Sequence, residues 1–301
     1  MILITGANGR PGTAVVREFA RRGEPVRALV RNPANAPAIA APGVEVVVGD
    51  MLAPETLGSA LSGVDRVLMI SGAGPLMLET QCTFIDAARA TGVTHVAKFS
   101  GEDSVEGFDP ERFRSTRSHE QVQRYLQASG LAWTMLRPSQ FMQVYLEEAP
   151  TIARSGELRL PLGSTTLAPV DIADIAAVAY RILTTPGHEG QTYRMTGPEA
   201  LTMAEVADRI AAATGRPVRY VDVTPEQRYQ EWLAAGYPPE RAAAFRQLFA
   251  ERSRLGRSSV RLDTHRAFGV QPTTFAEFAA RNAAVFRGEA AFTATPGVTR
   301  S

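Results

Sequence analysis

The chain has 301 residues, of which 45% are hydrophobic and 21% charged, and its formal net charge is +1. This length suits one large α/β domain or two smaller ones, and a charge near zero gives no reason to expect a nucleic-acid partner. The sequence contains no apolar run of about eighteen residues and opens on a strand-like segment, so we expect no membrane span and a cytoplasmic protein. Cys82 is the only cysteine and the four histidines lack ligand spacing, so we expect no metal site.

The first predicted element is a strand that runs into a glycine-rich turn. Residues 1–12 read Met-Ile-Leu-Ile-Thr-Gly-Ala-Asn-Gly-Arg-Pro-Gly, and a helix is predicted to follow over 13–22. Glycines allow a sharp turn and a close approach to a pyrophosphate, and the N–H groups that open a helix attract that anion. The pattern predicts a dinucleotide site formed by Gly6, Asn8, Gly9, Arg10, Pro11 and Gly12.

The second predicted strand, over 25–30, ends at Arg31. An acidic residue at this position binds the ribose 2′-hydroxyl of NAD, whereas arginine suits the 2′-phosphate of NADP. Together with Arg10 in the glycine turn, Arg31 predicts NADP(H) as the cofactor, with NADH as a second possibility. The alternative is a surface turn with two solvated arginines.

The rest of the first half alternates predicted strands and helices, which is typical of a parallel, doubly wound sheet. Strands are predicted over 44–48, 66–70, 95–99 and 133–137, and long helices over 76–91 and 112–129. Such sheets bind ligands beyond the carboxyl ends of their strands. The candidate positions are therefore Asp50, Met51, Ser71, Gly72, Ser100, Arg137, Pro138, Ser139, Gln140 and Phe141. Asp50 and Met51 can flank an adenine, although an aspartate there is as often a helix cap.

The second half of the chain has a less regular pattern. Strands are predicted over 167–170, 191–195 and 219–223, and helices over 172–183, 201–214, 226–235, 239–252 and 275–286. Thr202 and Glu205 form a predicted capping box. We expect a Rossmann-type NADP-binding domain over 1–150, a smaller C-terminal α/β substrate lobe over 151–287 that interleaves with the sheet edge, and a disordered tail over 288–301.

A set of segments spread over residues 1–287 carries a family resemblance. They are 5–12 (Thr-Gly-Ala-Asn-Gly-Arg-Pro-Gly), 28–31 (Ala-Leu-Val-Arg), 49–50 (Gly-Asp), 129–138, 169–175, 196–202 and 274–278. Together they resemble the atypical short-chain dehydrogenase/reductases, specifically the NmrA-like group. The resemblance implies that NADP(H) binds through the glycine turn, Arg31, Ser71–Gly72 and residues 137–141. It also implies either a reductase of quinones, carbonyls or activated double bonds, or a redox sensor that binds the cofactor without turnover.

The usual catalytic pair of short-chain dehydrogenases is missing. That pair is Tyr-x-x-x-Lys, in which the tyrosine protonates the carbonyl oxygen and the lysine lowers the tyrosine pKa. Alignment on the helix over 112–129 places Ser115 at the tyrosine position and His119 at the lysine position. Tyr125, later in this helix, is expected in the core. The usual acid mechanism is therefore in doubt.

Three side chains are candidates to replace that pair. His119 can hold the ribose or donate a proton, because its reference pKa of about 6.5 suits proton transfer. Ser100 can hydrogen-bond a substrate oxygen, and Lys98, the only lysine, lies two residues earlier on the same strand face. The alternatives are a solvated or packing role for His119 and a sheet-edge position for Lys98.

The missing tyrosine points to the kind of acceptor. Its loss costs little with a quinone or a conjugated aromatic ketone, because conjugation stabilises the oxyanion that hydride transfer leaves. Aromatic residues over 229–255, including Trp232 and Phe245, form either a lid over a flat ring or ordinary core stripes. Gln140 and Tyr145 are expected on the substrate side.

We therefore predict an NAD(P)H-dependent reductase of a polycyclic ketone or quinone, with tailoring ketoreductase in natural-product biosynthesis as one role. The predicted partner is a small aromatic molecule, and the sequence does not predict an oligomeric state. The alternative is an NADP(H)-sensing regulatory protein without catalysis. A third option, an epimerase or dehydratase, usually keeps the tyrosine.

Overall fold

The computed structural model describes residues 1–101 and 107–292. The strands are β1 (Ile2–Ile4), β2 (Val26–Val30), β3 (Val44–Val48), β4 (Arg66–Met69), β5 (His95–Phe99), β6 (Ala132–Pro138), β7 (Glu157–Leu160), β8 (Gln191–Met195) and β9 (Arg219–Asp222). The helices are α1 (Arg10–Arg22), α2 (Gly58–Leu61), α3 (Met77–Ala90), α4 (Arg114–Ala128), α5 (Ala149–Ser155), α6 (Ile172–Thr184), α7 (Met203–Thr214), α8 (Pro225–Ala234), α9 (Pro239–Leu255), α10 (Asp263–Phe268), α11 (Phe275–Arg281) and α12 (Ala283–Phe286).

Seven strands of the described residues form the parallel sheet that the alternating pattern predicts, in the order β3-β2-β1-β4-β5-β6-β8. Successive residues of a strand point to opposite faces of the sheet. Ile4 and Leu68 pack with α1 and α6, whereas Leu3 and Val67 pack with α3 and α4. Burial on both faces explains why these strands read as continuous apolar runs. The prediction of a Rossmann-type doubly wound sheet is confirmed.

The direction of winding reverses between β1 and β4, the central neighbours in the sheet. The loops after these two strands therefore diverge and leave a crevice at their carboxyl ends. Thr5 ties the two loops together, because its hydroxyl donates to the Ile70 carbonyl at 2.7 Å and accepts from the Ile70 N–H at 2.8 Å. The predicted glycine turn lies at this crevice.

The second half of the chain contributes to both layers of the molecule. Strand β8 extends the main sheet beside β6, and α6 packs along α1. The remaining elements surround a second core with the two-stranded sheet β7-β9. None of the helices in the described residues is long and apolar enough to cross a membrane.

Two predicted elements of the second half are wrong. Residues 167–170 are not a strand, because Leu167 pairs with Leu201 and Val170 with Phe141 as isolated bridges. The helix predicted over 275–286 is broken at Asn282, whose ψ of 15° ends α11. The capping box of Thr202 and Glu205 is present as predicted.

The predicted disordered tail over 288–301 is described only in part. Residues 293–301 lie outside the described residues. Within residues 288–292 the Gly288 N–H donates to the Val285 carbonyl and the Phe292 ring lies 5.2 Å from the Arg10 guanidinium, and disorder of the tail stays a prediction.

Candidate active site

The glycine turn is built so that only glycine fits at two of its positions. Gly6 has a φ of +56°, and a Cβ there would lie 2.8 Å from the Ile70 carbonyl oxygen. A Cβ on Gly12 would lie 2.2 Å from the Gly6 carbonyl oxygen, so α1 packs directly on the turn. Helix α1 begins at Arg10 with Gly9 as its N-cap, and no described side chain caps it. A backbone turn with an uncapped helix start fits the pyrophosphate of a dinucleotide.

The two arginines that were predicted at the 2′-phosphate, Arg10 and Arg31, have different partners. Arg31 is exposed immediately after β2, and within the described part of the chain its guanidinium has no ion pair. Arg10 instead forms an ion pair with Glu147, which lies 137 residues later in the C-terminal lobe. Binding of the 2′-phosphate by Arg10 and Arg31 stays a prediction.

The two residues predicted to flank an adenine, Asp50 and Met51, also have different surroundings. The Asp50 carboxylate accepts a hydrogen bond from the Leu52 N–H at 3.0 Å and so closes a turn. This role is similar to the helix cap that was the alternative for Asp50. Met51 is only 8% exposed and packs in the core with Leu29 and Leu57. Met51 thus leaves little surface for an adenine.

A cavity of about 490 Å³ opens at the carboxyl ends of the strands. Its sheet side is formed by Pro11 from the glycine turn, Ser71 after β4, Ser100 after β5 and residues 138–141 at the end of β6. Predicted residues from four separate loops therefore meet in one place. Gly72 lies next to Ser71 but is exposed.

Aromatic side chains form much of the cavity wall. Phe99 and Phe141 meet edge to face at 6.0 Å on the sheet side. On the lobe side Trp232 of α8 stacks on Phe249 at 5.7 Å and contacts Phe245 at 5.4 Å. The two alternatives for the residues over 229–255 are both present, because these rings line the cavity and also belong to the core of the lobe. A flat, apolar ligand fits such walls.

Lys98 and His119 form a pair behind the cavity wall. Lys98 is fully buried on β5, between β4 and β6, so the sheet-edge alternative is wrong. Its Nζ lies 3.0 Å from Nδ1 of His119, and His119 lines the cavity while Lys98 does not. Ser115, one turn before His119, also lines the cavity. The serine at the tyrosine position and the histidine at the lysine position therefore face the same space.

The pair fixes the state of the imidazole. Burial, together with the nearby Lys98 and Arg137 cations, lowers the pKa of His119 well below its usual value. The ring is therefore neutral near pH 7. Because an ammonium group can only donate hydrogen bonds, Nδ1 of His119 is the acceptor and Nε2 carries the proton.

Ser100 belongs to a second polar chain. Its hydroxyl oxygen accepts a hydrogen bond from Gln123 Nε2 at 2.8 Å, and the Gln123 carbonyl oxygen accepts from Arg137. Arg137 was predicted to hold the cofactor. In the structure its guanidinium donates a hydrogen bond to Gln123, and Arg137 is not among the residues that line the cavity. The Ser100 hydroxyl proton is left for another acceptor, since its oxygen already accepts from an amide.

The residues predicted on the substrate side have different surroundings. Both amide atoms of Gln140 are buried at the cavity wall without a hydrogen-bond partner among the described residues. Tyr145 contributes to the lining but is fully buried, and its hydroxyl is directed to the Met203 sulfur at 3.7 Å. Burial raises the pKa of the Tyr145 hydroxyl, so it is a poor acid. Tyr145 therefore lies in the cavity wall with its hydroxyl against Met203, and its contact with substrate stays a prediction.

The sequence reasoning missed Gln123 and two acidic residues of the lining, Glu147 and Glu148. Gln123 had a visible signal, because Ser115, His119 and Gln123 recur every four residues and share one face of α4. Glu148 forms a buried ion pair with Arg228, a contact across 80 residues that no local pattern announces.

Comparison with known proteins places this geometry in context. The model of the NmrA-like family matches residues 1–279. An NAD(P)H azoreductase of Xenophilus azovorans is 39% identical over 286 residues, which cover 95% of this chain and 99% of the relative. A (4-alkanoyl-5-oxo-2,5-dihydrofuran-3-yl)methyl phosphate reductase of Streptomyces griseus is 38% identical over 290 residues, which cover 96% of this chain and 100% of the relative.

Two solved structures of reductases are also similar to this chain. The NADPH complex of the quinone oxidoreductase QOR2 from Escherichia coli is 29% identical, with a TM-score of 0.83 over 93% of this chain and 99% of that one. The NADP(H) complex of triphenylmethane reductase from Citrobacter sp. is 26% identical, with a TM-score of 0.84 over 94% of this chain and 100% of that one.

Proposed function

Because the chain belongs to the NmrA-like family and is an NADP(H)-dependent oxidoreductase, we propose that it reduces flat, conjugated aromatic acceptors, with quinones as the preferred class. The observation that carries this proposal is the aromatic-walled cavity of about 490 Å³ beside the glycine turn. Serine replaces the usual catalytic tyrosine on its wall, so the enzyme suits acceptors that stabilise their own developing charge. Two relatives support the class, since one is named an azoreductase and one solved neighbour a quinone oxidoreductase.

The cofactor, when bound, supplies the hydride, and the residues of this chain bind and orient it. We expect the turn from Gly6 to Gly12 to offer backbone N–H groups to the pyrophosphate, and Arg31, directly after β2, is the candidate to bind the 2′-phosphate of NADP. The aromatic walls position the acceptor and keep water away from it.

The chain's own chemistry is the supply of a proton. His119 lines the cavity, and its Nε2–H, which is not the nitrogen that Lys98 contacts, can donate to the acceptor oxygen as negative charge develops there. As Nε2 releases its proton, Nδ1 can take one from Lys98 Nζ at 3.0 Å, so the imidazole stays neutral throughout. The Ser100 hydroxyl, held by Gln123, is a second donor for the same oxygen.

The tailoring ketoreductase role is a narrower form of this proposal. Its support is the relative from Streptomyces griseus, whose named substrate is a conjugated oxo-dihydrofuran. The competing sensor function has the same cofactor site but needs no acceptor cavity, so turnover separates the two.

The test is NADPH oxidation at 340 nm with phenanthrenequinone, 1,4-naphthoquinone, 1-phenylazo-2-naphthol and cyclohexanone, with NADH in parallel. We expect turnover of the quinones, weaker turnover of the azo compound and none of cyclohexanone. A Gly12→Val variant is the background, because its side chain would clash with the Gly6 carbonyl in the cofactor turn, and oxidation that persists in it does not come from this site. Tight NADPH binding without oxidation by any acceptor would favour the sensor, and preference for cyclohexanone would contradict the assigned acceptor class.

A further inference from the structure

The carboxylates that line the active-site cavity, among the described residues, are already paired. Glu147 and Glu148 line it, but each is neutralised by arginines that lie outside the lining. Glu147 pairs with Arg10 and Arg241, and Glu148 with Arg228. The positive charge of the other lining residues is therefore not cancelled by these two carboxylates.

Arg114 and Arg257 supply part of that positive charge. Both line the cavity, and both are exposed, so they stand where the cavity meets solvent. Across residues 1–101 and 107–292, neither guanidinium has a hydrogen bond or an ion pair. Most arginines elsewhere on the lobe are paired, as Arg246 is with Glu226.

Hydrogen bonds join the two segments that carry these arginines. Arg114 begins α4 directly after the loop 107–113, and this loop packs against the end of α9. Arg254 of α9 donates to the Gly107 carbonyl at 2.7 Å, and the Asp109 N–H donates to Glu251 at 3.2 Å. Arg257 follows α9 by two residues.

The far side of Arg257 is also anchored at the cavity. Thr166 forms an isolated parallel bridge with Arg257, and the Ser258 N–H donates to the Thr166 carbonyl at 2.9 Å. The next residues, Leu167 and Ala168, line the cavity themselves. The backbone of Arg257 is therefore anchored beside the acceptor space, while its guanidinium has no hydrogen bond or ion pair to the described residues.

We propose that Arg114 and Arg257 form a subsite for an anionic substituent on the acceptor, a sulfonate, carboxylate or phosphate carried on the aromatic ring system. The inference rests on the proposed function and names its substrate class. The aromatic walls hold the ring, and the guanidinium groups hold the oxyanion at the opening, since arginine binds such groups through paired hydrogen bonds. An acceptor with its charge at the opposite end from its reducible group meets both features.

Binding without turnover tests the subsite. Naphthalene-2-sulfonate and its neutral counterpart naphthalene-2-sulfonamide are titrated into the NADPH-loaded enzyme by calorimetry. 2-Naphthoate and 2-naphthyl phosphate are titrated in parallel to identify the preferred anion. We expect the sulfonate to bind more tightly than the sulfonamide, and Arg114→Gln and Arg257→Gln each to weaken only the anions, by roughly fivefold.

A kinetic arm uses 1,4-naphthoquinone and 1,4-naphthoquinone-6-sulfonate, whose sulfonate lies on the ring that carries no carbonyl. We expect the double variant to raise KM for the sulfonated quinone by more than about tenfold and to change KM for the neutral quinone by less than about twofold. Arg266→Gln is the matched control, because Arg266 is exposed, pairs with Asp263 and lies outside the cavity lining.

The outcomes separate this inference from the proposed function. Failure to reduce either quinone would contradict the proposed function, while the calorimetric arm would still report on the arginines. Equal effects on charged and neutral ligands, or no effect on either, would overturn the subsite. A parallel loss of NADPH affinity in the arginine variants would also overturn it, since the arginines would then hold the cofactor.

Discussion

At the scale of single residues, His119 separates the cavity from the buried amine of Lys98. His119→Gln keeps a hydrogen-bond donor but cannot pass a proton from Lys98. We expect kcat with a quinone to fall by about 10²-fold and the Kd for NADPH to change by less than about twofold. The measurement is single-turnover absorbance at saturating NADPH, and an unchanged rate would mean that His119 only packs.

The control for this substitution lies on the same helix. Tyr125 was expected in the core but is 40% exposed, and its hydroxyl donates to Asp86 at 2.8 Å. Tyr125→Phe removes a polar group from α4 away from the cavity. We expect it to leave kcat unchanged, so that a loss in His119→Gln reports on the site and not on the helix.

The lowered pKa of His119 has a consequence for stability. In the unfolded chain this ring titrates near its usual value of about 6.5, so below that pH the unfolded state binds a proton that the folded state refuses. The free energy of unfolding should therefore fall as pH drops through this window, and it should fall less in His119→Gln. Urea unfolding at about pH 7.5 and about pH 5.5 measures the difference between the two proteins. A constant difference between them would contradict the assignment of a neutral imidazole.

At the scale of elements, the contact between α1 and the glycine turn depends on one missing Cβ. Gly12→Ala places a methyl group 2.2 Å from the Gly6 carbonyl oxygen, which forces α1 away from the turn. We expect NADPH affinity to drop by at least about tenfold, because the backbone N–H groups move off the pyrophosphate. Fluorescence titration of NADPH measures the effect.

Gly58→Ala is the matched control for that substitution. Gly58 opens α2, and a Cβ there meets no atom within 4 Å. Alanine in a helix is favoured over glycine by about 0.5–1 kcal/mol, so this variant should be at least as stable as the parent and bind NADPH normally. Equal losses of affinity in both variants would mean that the tight contact at Gly12 is not what positions the cofactor.

The elements that could be predicted are those whose signal is local. The apolar strand runs and helix caps were sufficient for all seven strands of the main sheet and for α7 with its Thr202 cap. Short elements such as α5 and β7 were missed, because four to seven residues hold too little periodicity to read.

The site divides along the same line. The glycine turn and residues 138–141 were found from their position after strands, and the structure gathers them at one cavity. The pairing of Arg10 with Glu147 and the burial of Tyr145 against Met203 depend on side chains 137 and 58 residues apart. Contacts of that range carry no periodic signal, so the sequence indicated neither the ion pair of Arg10 nor the contact of the Tyr145 hydroxyl with Met203.

At the scale of the whole molecule, Glu147 links the cofactor turn to the C-terminal lobe. Its carboxylate accepts from Arg10 on α1, from Arg241 on α9 and from the Tyr237 hydroxyl at 2.9 Å. Glu147→Gln leaves two arginines without their counter-charge, and we expect a loss of about 2–3 kcal/mol in the free energy of unfolding. Glu226→Gln, which alters the exposed pair with Arg246, should cost less than about 1 kcal/mol. Urea unfolding of both variants compares them, and equal losses would mean that Glu147 does not couple the two parts.

The chain crosses between its two cores several times, and this predicts cooperative unfolding. Helix α6 packs along α1, and β8 completes the main sheet although both follow the lobe elements α5 and β7. A boundary at residue 150 would therefore take α6 and β8 away from the apolar core that they share with α1. Neither half can lose its structure without exposing apolar surface of the other.

The two tryptophans of the chain provide a probe in each part. Trp133 lies on β6 of the main sheet and Trp232 on α8 of the lobe, so Trp232→Phe reports on the sheet and Trp133→Phe on the lobe. We expect the urea transitions of the two variants, each corrected for its own stability by circular dichroism, to coincide between fluorescence and ellipticity. If Trp133→Phe lost the fluorescence signal of Trp232 at a clearly lower urea concentration than its ellipticity, the lobe would unfold on its own. The cavity between the two parts would then open without loss of the sheet, and acceptor binding would depend on the stability of the lobe alone.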